Sequence, residues 1–142
     1  MPPAPPRSPF DDPVPAPAAP VATAGAARAA VTALLSDTGR ATVAPLGAVH
    51  LVVTELVANA FRHADGMTGF DARVDADGAA LVVTVDDGDE RTPVETPGVL
   101  DDPAALGGRG WPLVRLLAAT CRTDPRPEGG KRITVTFPLR PR

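Results

Sequence analysis

Residues 54–64 read TELVANAFRHA, and the way this stretch folds decides how the rest of the chain is read. Apolar and small residues recur at helical spacing on either side of it: Leu46, Val49, Val52, Val53, Leu56, Val57, Ala60 and Phe61. That pattern predicts an amphipathic helix over 44–64. Pro45 suits its first turn, and DGMTG (65–69) ends it. The other side carries His50, Thr54, Glu55, Asn59, Arg62 and His63. Glu55, Asn59 and His63 stand four residues apart, so they share one face at about 6 Å per step along the axis. Any amphipathic helix shows water such a polar line. The same line suits a ligand: an amide oxygen can ligate Mg2+, and a carboxylate one turn away can take a proton from a hydroxyl or water attacking a γ-phosphate. On this helix alone both readings stand.

Upstream, TAGAARAAVTALLS (23–36) is alanine-rich, and Ala27, Ala30, Val31, Leu34 and Leu35 form a second helical stripe, with Gly39 as its stop. Residues 1–20 hold nine of the 18 prolines. A segment so rich in proline has no amides for a helix and little to bury. Residues 1–22 are therefore expected to form a disordered or polyproline-like tail, and 23–142 a single domain.

Downstream, FDARVDA (70–76) alternates and meets the turn signal Asp77-Gly78, after which ALVVTVDD (80–87) alternates again. The inward residues of the second strand are expected to be Leu81, Val83 and Val85, which places Asp87 next on the core side. Gly88 to Leu106 forms a long polar segment, and loops of that length in small domains are functional or disordered. GGRG (107–110) then opens a helix, WPLVRLLAATC (111–121), and GGKRITVTFPL (129–139) closes the chain as a strand. Helix, helix, strand, strand, loop, helix, strand is the order of a two-layer α+β domain with its helices on one face of a mixed or antiparallel sheet.

Composition narrows the function. The 142 residues are 44% hydrophobic, enough for one real core. The net charge of −3 comes from interspersed charges, with no basic block to neutralise a run of nucleic-acid phosphates. Cys121 is the single cysteine, which excludes an internal disulfide and fits a reducing compartment. No signal peptide and no membrane span are expected, which points to the cytoplasm. Thirteen of the 14 basic residues are arginine, and Lys131 is the only lysine.

Two further pieces carry chemistry. A glycine-rich helix N-terminus presents free N–H donors to phosphate. GGRG lacks the Gly-x-x-x-x-Gly-Lys-Ser/Thr pattern of a P-loop, and it does not sit in a βαβ unit, which argues against a Rossmann site. In VDDGD (85–89), an inward aspartate at a strand end needs a donor, and the exocyclic amine of adenine is one. The alternative is a turn that uses Asp and Gly for their backbone tolerance.

Taken together and in this order, ELVANAFRH, VTVDDG, GGRGWPLVRLL and GGKRITVTFPL resemble the ATP-binding domain shared by gyrase, the heat-shock chaperone ATPases and the sensor histidine kinases. Within that superfamily the chain most resembles the anti-sigma-factor serine kinases, over about residues 23–140. The resemblance implies a Bergerat-type fold with ATP and Mg2+ as cofactors. It implies that Asn59 ligates Mg2+, that Glu55 is the catalytic base and that His63 lies near the phosphates. VTVDDG resembles the first glycine box, with Gly88 and an adenine-binding aspartate. Its usual form is Asp-x-Gly-x-Gly, and here Asp89 or Glu90 replaces the second glycine. Spacing to Gly88 favours Asp86 and strand alternation favours Asp87; the reading adopted takes Asp87. Gly108, Arg109 and Gly110 fall in the phosphate-cradling second glycine box, and 89–106 in the ATP lid. Lys131 stands where many relatives have threonine, placed to meet phosphate or solvent. The implied activity is phosphorylation of a serine or threonine on an anti-anti-sigma (antagonist) protein, with sequestration of a sigma factor. A nucleotide-regulated binding module without turnover is the alternative. A free-standing histidine kinase domain is disfavoured, because the chain has no helical hairpin carrying an acceptor histidine. The family often forms dimers, and the first helix is a candidate surface for a homodimer. No direct contact with nucleic acid or membrane is expected.

Overall fold

The computed structural model describes residues 21–63, 66–89 and 110–142. Residues 1–20 of the expected tail (1–22), most of the expected lid, and Gly108 and Arg109 lie outside these residues.

Helix α1 spans Ala24–Thr38. The Thr23 side chain caps its start by accepting from the Ala26 amide at 3.0 Å. Gly39 ends it in the left-handed region, φ 64, where its N–H reaches Leu35 and Ser36 carbonyls. Gly39→Ala is expected to cost about 1 kcal/mol, because alanine pays for positive φ and nothing crowds the site. A Tm drop of more than about 10 °C would show that Gly39 does more than end a helix.

Helix α2 spans Leu46–His63, with the Pro45 carbonyl accepting from Ala48 and Val49. Strand β1 (Met67–Val74) forms a hairpin with β2 (Ala80–Asp87). The turn uses Gly78 at φ 68, and the Asp75 carboxylate accepts from the Ala79 and Ala80 amides. Strand β1 starts three residues before the expected Phe70. Its register is irregular between Met67 and Gly69, where a Cβ on Gly69 would lie 3.0 Å from the Asp86 carboxylate.

Helix α3 spans Gly110–Leu117 and stops short of the expected Cys121. Ala119 instead donates to Thr136 at 2.9 Å, carrying the chain into the sheet as β3 (Thr120–Pro125), an unexpected strand. Strand β4 (Lys131–Pro138) follows. The sheet is antiparallel throughout, in the order β1-β2-β4-β3. The three helices cover one face. Val31 and Leu35 of α1, Val53 and Leu56 of α2 and Val114 of α3 bury against Leu81, Val83, Val85, Ile133, Val135 and Phe137. This is an α+β open sheet with three helices, consistent with the Bergerat fold. Val21, just before α1, also packs against this core. Phe61, expected in the core, is 53% exposed, its ring lying against Gly66 at the end of α2. Trp111 is half-buried against the core.

Candidate functional site

The polar side of α2 divides in two. His50 hydrogen-bonds the Thr32 hydroxyl at 2.8 Å, and Thr54 accepts from Arg28 at 2.9 Å. These residues bind α2 to α1. Glu55 and Asn59 belong to neither contact. Both are half-buried, and α2 also packs on α3. The Glu55 carboxylate lies 3.5 Å from the Arg62 guanidinium. The Asn59 amide has no hydrogen-bonding partner among the described residues. A half-buried amide left this way has donors and an acceptor to offer a ligand. His63 is the last residue of α2; its side chain lies outside the described structure.

At the end of β2 the two aspartates take opposite faces. Asp86 points away from the helices. Arg132 grips it with two bonds, Nε to Oδ1 at 2.7 Å and Nη2 to Oδ2 at 2.9 Å, and Arg126 adds a contact at 3.6 Å. The hydrogen bond to Asp86 raises the pKa of Arg132 further above its usual value. Asp87 points inward, as the alternation Leu81, Val83, Val85 requires.

Lys131 is not in solvent. It is directly opposite Asp87 in the β2–β4 register, and the two are 2% and 1% exposed. Its ammonium bridges both Asp87 oxygens at 3.0 Å and donates to the Asp89 carbonyl at 2.9 Å. The Asp89 N–H donates to Asp87 Oδ1 at 2.9 Å. Three donors on the ammonium thus meet three acceptors. Reading β4 by parity would have found this, since Lys131 is in phase with the inward Ile133, Val135 and Phe137.

The turn that delivers Lys131 depends on Gly130, at φ 83. A Cβ there would fall 2.0 Å from the Asp87 carbonyl oxygen and 2.9 Å from Gly88 Cα. Gly110 opens α3. Cys121 sits half-buried on β3, where burial pushes its thiol pKa up and Arg115 partly offsets the rise. Little thiolate is present at neutral pH, so the cysteine acts as a small packing residue. An open apolar cavity of ≈ 610 Å³, lined in part by Leu35, Val43, Leu46 and Arg140, lies between the end of α1 and the α1–α2 connection. It shares no residue with the site above.

Residues 16–137 match the histidine kinase-like ATPase domain. The chain belongs to that family. No curated protein gives a significant match. Membership in a histidine kinase-like ATPase family implies ATP binding and an ATP-dependent activity. Among the described residues, α2 carries an amide without a hydrogen-bonding partner one turn from a carboxylate. The sheet half offers an inward carboxylate, but one that Lys131 already holds. Among the described residues no group of three His, Cys, Asp or Glu side chains comes together to hold a metal. No described helix is long and apolar enough to cross a membrane.

Proposed function

We propose that this domain is an ATP- and Mg2+-dependent anti-sigma-factor serine/threonine kinase. It phosphorylates an anti-anti-sigma protein, and it binds a sigma factor in alternation. The reading rests on family membership, and the observation that carries it is the half-buried amide of Asn59, without a partner among the described residues, one turn from Glu55. Asn59 would hold Mg2+, an ion that takes few protein ligands and keeps water and phosphate oxygens for the rest. ATP bound here supplies the phosphoryl group and the leaving ADP. Glu55 receives the hydroxyl proton of the acceptor serine or threonine as its oxygen bonds to the γ-phosphorus and the bond to the bridging oxygen breaks. Arg62, 3.5 Å from Glu55, orients that carboxylate. His63, Gly108, Arg109 and Gly110 complete the phosphate end, and Asp87, beside Gly88, the base end.

Glu55→Gln is expected to keep Mg-ATP binding within about threefold and to lower phosphate transfer at least about 100-fold. Asn59→Ala is expected to weaken Mg-ATP binding itself. Calorimetry and transfer of labelled γ-phosphate to the source organism's anti-anti-sigma proteins measure the two. Undiminished transfer by Glu55→Gln refutes the base assignment, and acid-labile phosphate on the product refutes serine/threonine as acceptor. The engaged state of Asp87 favours a second reading, a nucleotide-regulated binding module without turnover. It predicts Mg-ATP binding with no transfer by the unaltered protein.

A further inference from the structure

We propose that Lys131 is an internal competitor for the nucleotide base, holding the carboxylate that the base amine must reach. The inference rests on the reading of Asp87 as the base-end carboxylate. A carboxylate prefers an ammonium to a neutral amine, because a charge-assisted hydrogen bond is about twice as strong as a neutral one. Here the ammonium touches both carboxylate oxygens at 3.0 Å, is 98% shielded, and has its remaining donor satisfied by the Asp89 carbonyl. Oδ1 also takes the Asp89 amide. The ammonium is fully satisfied, and Asp87, 1% exposed under it, presents no oxygen to the outside, so an entering base gains Asp87 only as Lys131 gives it up.

The residue type fits this role. Every other basic residue of the chain is arginine. The ammonium is compact, with three donors on one point, and three acceptors lie around it. Asp89 belongs to the same clamp, since it gives Asp87 its N–H and Lys131 its carbonyl. Base entry therefore disturbs the backbone at 87–89. Nucleotide affinity is set low by the chain's own lysine, and it rises when Lys131 is drawn away.

Calorimetry with Mg-ATP on the full chain tests this, using the unaltered protein, Lys131→Thr, and the double variant Asp87→Asn with Lys131→Met. Thermal unfolding without nucleotide accompanies each titration. Threonine keeps one donor for Asp87. The double variant removes both charges of the pair, so it leaves no unpaired charge there where Lys131→Thr leaves Asp87, and its amide oxygen is free to accept the base amine. Both variants are expected to bind Mg-ATP about tenfold or more tightly than the unaltered protein. ATP should also raise the Tm of Lys131→Thr by more than it raises that of the unaltered protein. Binding by the unaltered protein that is equal to or tighter than that of both variants overturns the proposal: Lys131 would then assist the base, for instance by donating to a ring nitrogen. If all three fold and none binds Mg-ATP, the base-site reading fails along with it.

Discussion

Asp87→Ala is expected to destabilise the domain by about 3–5 kcal/mol, the usual loss when one partner of a buried ion pair is removed. The ammonium of Lys131 would keep a single acceptor, the Asp89 carbonyl, in a place that is 2% exposed. Against a typical total stability of about 5–15 kcal/mol, this is a large fraction, and the Tm should fall on the order of 10–20 °C. Circular dichroism without nucleotide measures it, which keeps the stability effect apart from any effect on ligand. Adding Lys131→Met to Asp87→Ala should recover most of the loss, since replacing a whole buried pair by apolar groups is often close to neutral. A loss below about 1 kcal/mol for Asp87→Ala alone would mean that the ammonium finds water, and that the pair is a surface contact.

Gly130→Ala is expected to cost about 2–5 kcal/mol, from positive φ together with overpacking. The added Cβ would sit 2.0 Å from the Asp87 carbonyl oxygen, and both atoms belong to backbone that no side-chain rotation can clear. Relief requires the ends of β2 and β4 to part, at the step where Asp87 and Lys131 face each other. Gly129→Ala is the control. Gly129 has φ 98 but nothing within 4 Å of its Cβ position, so it pays the conformational term of about 1–2 kcal/mol alone. Chemical denaturation of the two variants isolates the cost of the close approach. Equal losses would show that crowding at Gly130 is absorbed elsewhere.

The helices and the central strands were legible because period and punctuation agree. Gly39, Pro45 and Asp77-Gly78 all do in space what their local chemistry predicts. Strand β3 was not legible. Ala118 and Ala119 continue a helical pattern, and no glycine or proline marks the change. What ends α3 is a hydrogen bond from Ala119 to Thr136, seventeen residues later. The early start of β1 escaped for a similar reason, since Thr68 and Gly69 read as turn residues until β2 lies beside them. At the site, the line of Glu55 and Asn59 and the inward turn of Asp87 followed from periodicity. The separation of His50 from that line did not, because it depends on Thr32 of another helix. The partner of Asp87 lies 44 residues away, and a pairing of that range becomes readable only once two strands are placed in register.

Strand β4 follows β1, β2 and β3 in the described chain and lies between β2 and β3 in the sheet. Its neighbour Leu139 bridges Thr42, and Arg140 bonds Ala41 at 2.8 Å. A ribosome making about 5–20 residues per second therefore releases the helices and the first hairpin well before the piece that joins them. During that interval β2 has one bare edge, and β3 has no partner at all. Contacts of such long range also slow folding, since a large loop must close before it is rewarded. Sheet closure, the tie between residues 41–43 and 138–140, and the meeting of Asp87 with Lys131 are then one late event. A chain that stops before β4 lacks the partner of Asp87.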